Sequence, residues 1–206
     1  IQASHGPYYA FFTLYLEDYG YSRTLIGQLW GLGVVAEIAI FLFMSRLLPR
    51  YGARRLLLVA VGLTTIRWLL IALYASSLGA VLLAQTLHAA SFGVYHAVAI
   101  YLIHRLFTGA HQGRGQALYS SVSFGAGGAV GSLASGYVWQ GMGGEMTFWA
   151  AGGVALLGEK LLSEEYIKTA WAKGLSPFKV IVKHALRTLL KVVATREGEP
   201  ISLEIV

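Results

Sequence analysis

The feature that most constrains the fold is a series of apolar segments separated by short polar breaks. Six such segments lie at about residues 7–16, 24–44, 56–74, 78–103, 116–139 and 146–157. Only 13% of the residues are charged, whereas a soluble domain carries about 25%. We therefore expect an all-α membrane protein built as a six-helix transmembrane bundle. The first segment is short and could be completed by residues before Ile1, and the sixth is re-entrant, extended or truncated.

Positive charges lie in alternate breaks. The second break holds Arg46, Arg50, Arg54 and Arg55, the fourth holds Arg105 and Arg114, and eight more Lys and Arg residues follow Gly158. Lys and Arg are retained on the cytoplasmic side of a membrane, so these breaks should be cytoplasmic. We expect residues 1–158 to form the transmembrane domain and residues 159–206 a cytoplasmic basic helical tail, located at the bacterial inner membrane.

Ionisable residues interrupt three successive apolar segments at mid-helix depth: Glu37, Arg67, His88 and His96. An isolated charge at the bilayer centre costs about 2.5–3.5 kcal/mol, so we expect Glu37 and Arg67 to face each other or to share the histidines. A carboxylate balanced between burial and a nearby guanidinium can gain and lose a proton near neutral pH, which proton-coupled transport requires. The alternative is a static ion pair that fixes helix register.

The fourth segment also predicts a solute pathway. On a regular helix Gln85, His88, Phe92 and Tyr95 share one face, with His96 at its edge. The alternative is that these polar groups serve helix packing. Candidate substrate contacts are Gln28, Trp68, Gln85, Phe92, Tyr95 and Tyr8. The aromatic ones suit an aromatic acid or a nucleoside, and equally suit packing.

Small residues fill the fifth segment, where Gly127 and Gly131 have the GxxxG spacing and Ser132 and Gly136 a similar one. Such faces predict close packing of helix backbones.

Several motifs together carry a family resemblance. They are Ser4-His5-Gly6-Pro7-Tyr8-Tyr9, Gly33 to Ile38 with Phe41, Ile66-Arg67-Trp68, Gln85 to His96, and Gln116 to Ser120. With them residues 1–158 resemble the C-terminal six-helix half of a major facilitator superfamily transporter, in the phenylpropionate and nucleoside proton-symporter branch related to lactose permease. The resemblance implies proton-coupled transport of a small organic solute of the aromatic acid, nucleoside or sugar class, and a second transporter half or a homodimer.

The same resemblance suggests roles for individual residues. Lactose permease places a carboxylate, an arginine and a histidine in the corresponding three helices, where Glu37, Arg67 and His88 stand here. Its further carboxylate, one turn after the histidine, is replaced by Ser91.

Residues 45–55 look like a degenerate copy of the facilitator cytoplasmic motif, G-x-x-x-D-R-x-G-R-R. Its candidate gating residues are Arg50, Gly52, Arg54 and Arg55. Ser45 and Pro49 stand where the motif has its glycine and its acid, which puts the motif's ion pair in doubt.

The tail resembles a different family. Residues 165–187 are similar to the cytoplasmic EAA loop of dipeptide/oligopeptide ABC permeases, which docks on an ATPase. From the residues alone, Glu164 to Lys173 predicts an amphipathic helix stopped by Gly174, which could instead lie on the anionic inner leaflet. The chain thus resembles a junction of two transporter families, by fusion, frame error or design.

Three functions follow from these patterns. The leading one is a facilitator half whose partners are the lipid bilayer, a small solute and a proton. The alternatives are an ABC importer permease fragment that docks an ATPase through 165–187, or a non-transporting fragment or chimera. We expect no enzyme, cofactor, metal or nucleic-acid partner, because the chain has no catalytic triad spacing, phosphate loop or metal-ligand cluster.

Overall fold

The computed structural model describes residues 1–163, whose regular elements are all helical. The α-helices are α1 (Gln2–Asp18), α2 (Arg23–Tyr74), α3 (Leu78–Thr86), α4 (Tyr95–Leu106), α5 (Gln112–Ser120) and α6 (Gly128–Ser163). A π-helical segment, π1 (Ala89–Val94), joins α3 to α4, and a second, π2 (Ser121–Gly127), joins α5 to α6. A short 3-10 turn, Gly109–His111, precedes α5.

The predicted all-helical fold class is confirmed. Within residues 1–163, the stretches Arg23–Tyr74 and Leu78–Leu106 are long and apolar enough to cross a membrane. Ile1–Leu161 forms one compact unit. The tail helix predicted from Glu164 to Lys173 lies outside the described residues, and the domain boundary after residue 158 stays a prediction.

Helix α2 folds back on itself at Gly52. If α2 were straight, Leu29 and Arg67 would lie about 57 Å apart at a rise of about 1.5 Å per residue. Both nevertheless bond to the side chain of Gln85. Gly52 has φ 75° and ψ 155°, a conformation that favours glycine because it has no Cβ. The predicted polar break at 46–55 was therefore too wide, since helix continues through Pro49 and only Gly52 departs from it.

Helix α6 has a similar break at Gly143, where φ is 83°. Before the break, Trp139 stacks on Phe11 of α1 with ring centroids 4.6 Å apart. After it, Phe148 lies 5.0 Å from the ring of Tyr15. The helix then continues to Ser163, so the predicted sixth segment at 146–157 was too short. Glu and Lys are good helix formers, and their charge ends an apolar run without ending a helix.

Helices α1 and α6 meet backbone to backbone. A Cβ on Gly131 would overlap the carbonyl group of Ala3, and one on Gly6 would overlap the backbone of Gly131. The close packing predicted for Gly127 and Gly131 is thus confirmed. By contrast, a Cβ on Gly136 would meet no atom within 4 Å among the described residues, so the second predicted spacing marks no contact there.

The core consists of two clusters of buried residues. Its larger cluster joins α1, both arms of α2, α3 and the end of α6, with Tyr8, Phe12, Leu29, Trp68 and Phe148 fully or almost fully buried. A smaller cluster around Met44, Ala60 and Val98 fills the end near Gly52. The side chains that could carry function lie beside the larger cluster.

Candidate functional site

A hydrogen-bonded pair joins the first arm of α2 to His88, which lies between α3 and π1. Glu37 Oε1 lies 2.6 Å from His88 Nε2, and the two side chains are 16% and 6% exposed. Two glycines allow this approach, because a Cβ on Gly33 would lie 3.2 Å from His88 Cδ2 and one on Gly93 would overlap Ile40. The pair is therefore formed where the helix backbones pack closely.

The π1 segment begins one residue after His88. A π turn holds more residues than an α turn and rotates the side chains that follow it, and such turns occur often at functional sites. The ring of His88 lies 5.7 Å from that of Phe92, Phe92 stacks on His96 at 5.6 Å, and His96 Nδ1 lies 3.1 Å from the hydroxyl of Tyr119. His88, Phe92 and His96 therefore form one row of neighbouring rings, and His96, expected at the edge of the predicted face, lies within that row.

Arg67 is fully buried and bonds to neutral groups. Its Nε donates to the carbonyl of Ala84 at 3.0 Å, its Nη1 to Ser91 Oγ at 3.1 Å and its Nη2 to Gln85 Oε1 at 3.2 Å. Among the described residues it forms no ion pair, so of the two expected arrangements the direct contact with Glu37 is not the one found. The two share His88 instead: Ser91 Oγ, which accepts from Arg67, also lies 3.4 Å from His88 Nδ1, and His88 Nε2 bonds to Glu37.

Two aromatic rings face the guanidinium. Its Cζ lies 4.2 Å from the ring centroid of Tyr8 and 4.5 Å from that of Trp68. A cation attracted by desolvated π faces gains about 2 kcal/mol, which offsets part of the cost of burying it. Gln85 fixes this arrangement by donating to the hydroxyl of Tyr8 at 3.0 Å and to the carbonyl of Leu29 at 2.8 Å.

These contacts form one hydrogen-bonded line, Arg67–Ser91–His88–Glu37. A guanidinium only donates, whereas a hydroxyl both accepts and donates. Arg67 can therefore donate to Ser91, Ser91 to His88 Nδ1, and His88 Nε2–H to Glu37. Between Ser91 and Glu37 such a line can move a proton by exchanging donors and acceptors, whereas Arg67 stays protonated.

His5 belongs to this site, although it was not among the residues predicted from the sequence. It is fully buried, its Nε2 lies 3.5 Å from Arg67 Nη1, and its ring lies 4.9 Å from that of Trp68. The available signal was a histidine next to Ser4 in an apolar helix. It was missed because the first segment was expected to begin near Pro7, after His5.

The other predicted residues lie elsewhere. Gln28, Arg50, Arg54 and Arg55 are exposed in this chain, and Gly52 forms the reversal of α2. Arg50 lies 5.4 Å from the ring of Tyr51. Within the described residues no three His, Asp or Glu side chains come together as a metal site would require.

Comparisons with known proteins place this geometry in a family. The family model described as "MFS_1 like family" matches residues 1–150. The "Probable 3-phenylpropionic acid transporter" of Escherichia coli (strain K12) is 35% identical over 157 residues, which cover 76% of this chain and 40% of that protein. The predicted facilitator resemblance is thereby confirmed, for a chain that spans less than half the length of that relative.

A second relative supports the other resemblance over a short stretch. The "Dipeptide transport system permease protein DppB" of Bacillus subtilis (strain 168) is 64% identical over 39 residues, 19% of this chain and 13% of that protein. No solved structure matches the chain.

Proposed function

Because the chain belongs to the MFS_1 like family of transporters, we propose that it forms one six-span half of a carrier that moves a small organic solute together with a proton. The observation that carries the proposal is the buried pair of Glu37 and His88, 2.6 Å apart and linked to Arg67 through Ser91. Intramembrane ionisable groups of this kind line solute and proton pathways.

The two reversals support six crossings. The crossings are α1, the two arms of α2, Leu78–Leu106, α5 with π2 and α6 as far as Gly143, and the rest of α6. In this arrangement the reversal at Gly52 and the turn before α5 share one side, which carries Arg46 to Arg55, Arg105 and Arg114. We propose that this side and the tail are cytoplasmic and that the membrane is the bacterial inner membrane.

The hydrogen-bonded line can take up one proton without moving its heavy atoms. A proton that arrives at His88 Nδ1 would let His88 pass its Nε2 proton to the carboxylate of Glu37, which would then donate back to Nε2, while the new Nδ1–H donates to Ser91. The hydroxyl oxygen of Ser91 has two lone pairs, so it can accept from His88 and Arg67 together. His96, bonded to Tyr119 at 3.1 Å, is proposed as a further proton acceptor along the same helix.

Charge favours an acid as the solute. With His88 neutral, the charges of Arg67 and Glu37 sum to zero, and one added proton makes the group positive. A positive group in a low-dielectric site attracts a monocarboxylate, whereas the unprotonated group does not. Candidate contacts for an aromatic ring are Tyr8, Trp68, Phe92 and Tyr95, with Gln85 as a polar contact.

The relative named for 3-phenylpropionic acid supports the same class, and nucleosides and sugars remain alternatives. A thermal-shift screen of the purified chain at two pH values tests this choice. We expect aromatic acids to raise the melting temperature more at the lower pH. If only nucleosides or only sugars stabilise the chain, the solute belongs to that class and not to the aromatic acids.

A complete carrier needs a second half around a midplane site. The outward side chains of the first arm of α2 are apolar and suit lipid or such a half; Val35, Ile38 and Leu42 are 62%, 57% and 73% exposed. We propose that the chain acts with a partner half or as a homodimer, and we expect at least a dimer in detergent. A strict monomer without solute flux in liposomes would contradict transport by this chain.

Substitution of Glu37 tests the proposed proton transfer. Glu37→Gln keeps the size of the side chain but removes its charge, so uptake of 3-phenylpropionate driven by a proton gradient should fall at least tenfold, as for loss of a charged hydrogen-bond partner. Glu17→Gln is the matched control, because Glu17 pairs with the exposed Arg23 at 2.7 Å in the turn between α1 and α2. Equal uptake by the two variants would remove Glu37 from the mechanism.

The 39-residue similarity to a dipeptide permease supports a second candidate function. Residues 165–187 would then dock on an ABC ATPase. Pull-down of a cognate ATPase by the chain, and its loss in Gly174→Pro, would support this candidate. Binding that survives the substitution would contradict it.

A further inference from the structure

The side chains that accept hydrogen bonds from Arg67 come from two different parts of the chain. Ser91 and Gln85 both lie on the continuous stretch from α3 through π1, whereas His5 lies on α1. Tyr8 of α1 packs its ring on the guanidinium at 4.2 Å, and His5 adds a hydrogen-bond acceptor from the same helix.

The hydrogen bonds of His5 define its protonation. Since a guanidinium has no lone pair to offer, Nε2 of His5 must accept the bond from Arg67 Nη1, at 3.5 Å. The other ring nitrogen, Nδ1, lies 3.2 Å from the carbonyl oxygen of Ile1 and must donate to it. His5 is thus neutral with its proton on Nδ1, since an N–H on Nε2 would point at the N–H of Arg67.

The position of His5 is set by helix packing. The next residue, Gly6, lies where α1 touches the backbone of Gly131 and Ser132. The ring of His5 also packs edge-on against Trp68, with centroids 4.9 Å apart. A shift of α1 against α6 would therefore displace the acceptor that His5 offers to Arg67.

We infer that His5 is a positioning residue that connects the packing of α1 on α6 to the placement of Arg67 beside the Glu37–His88 pair. The inference rests on the proposed carrier function. His5 acts through Arg67: it keeps the guanidinium against Tyr8 and Trp68 and within reach of Ser91. It needs no contact with solute.

Two substitutions separate this role from space filling. In His5→Gln the amide oxygen lies as many bonds from Cα as Nε2 does, so it can still accept from Arg67. In His5→Asn the amide lies at the level of Nδ1, so it can reach Ile1 but not Arg67. We expect proton-driven uptake within twofold of the unsubstituted chain for Gln and about tenfold lower for Asn. Where the unsubstituted chain transports, equal uptake by the two variants, whether high or low, would overturn the inference.

A spectroscopic measurement does not depend on transport. In the full chain labelled with ¹⁵N-histidine, the His5 signals can be assigned by their loss in His5→Gln. We expect a neutral ring protonated on Nδ1 at pH 7, and a change of these signals in Arg67→Gln. A ring protonated on Nε2, or a cationic ring, would overturn the inference. The expected tautomer together with no solute flux would instead overturn the proposed function and leave the inference standing.

Discussion

Replacing Gly131 by alanine should push α1 away from α6. The new Cβ would lie 2.8 Å from the Cα and carbonyl carbon of Ala3, whereas carbon atoms pack at about 3.5–4.0 Å. Backbone, unlike a side chain, cannot turn aside, so α1 would have to move by about 1 Å. Such overpacking costs about 1–3 kcal/mol, and the gain in helix propensity returns about 0.5–1 kcal/mol. We expect a net loss of about 1–2 kcal/mol in the free energy of unfolding.

Gly136→Ala is the matched control on the same helix. Its Cβ would meet no atom within 4 Å, so the variant should be as stable as the unsubstituted chain or more stable by up to about 1 kcal/mol. Reversible unfolding by SDS in mixed micelles, followed by the fluorescence of the five tryptophans, measures both variants. The variants should differ by about 1–3 kcal/mol. Equal stability would refute the close contact of α1 with α6.

Three further substitutions test the site by uptake measurements. Arg67→Lys should lower uptake at least tenfold, because an ammonium cannot reproduce the planar fork of donors. Gly33→Ala places a Cβ 3.2 Å from His88 Cδ2 and should lower uptake about fivefold, whereas Gly31→Ala meets open space and should not; equal effects would contradict the close packing. His96→Phe should lower uptake less than Glu37→Gln does, since it removes a hydrogen bond of about 1 kcal/mol, and a larger loss would place His96 at the centre of the proton path.

The fold class could be predicted because apolar run length determines membrane helices. The positions of the reversals could be predicted only approximately. Charge marked residues 46–55 as a break, but helix formation depends on backbone conformation, and only Gly52 leaves the helical region there. In the same way Gly143 ends one arm of α6, and the apolar run did not show that the next arm reaches Ser163.

The identity of the site residues could be predicted better than the contacts between them. The cost of a buried charge correctly selected Glu37, Arg67 and His88 as residues in need of partners. That cost does not determine which partner each residue finds. In the structure Glu37 pairs with His88 and Arg67 bonds to Ser91, a neutral residue that the cost of a buried charge does not identify. The π1 turn could not be predicted either, since a regular periodicity was assumed through Ala89–Val94.

Proton movement during solute uptake tests the proposed coupling most directly. Liposomes containing the chain and an internal pH indicator are given external 3-phenylpropionate, with protein-free liposomes to subtract diffusion of the neutral acid. We expect solute-driven acidification of the lumen by the unsubstituted chain and by Glu17→Gln, and none above background by Glu37→Gln. Undiminished acidification by Glu37→Gln would contradict proton coupling through the Glu37–His88 pair.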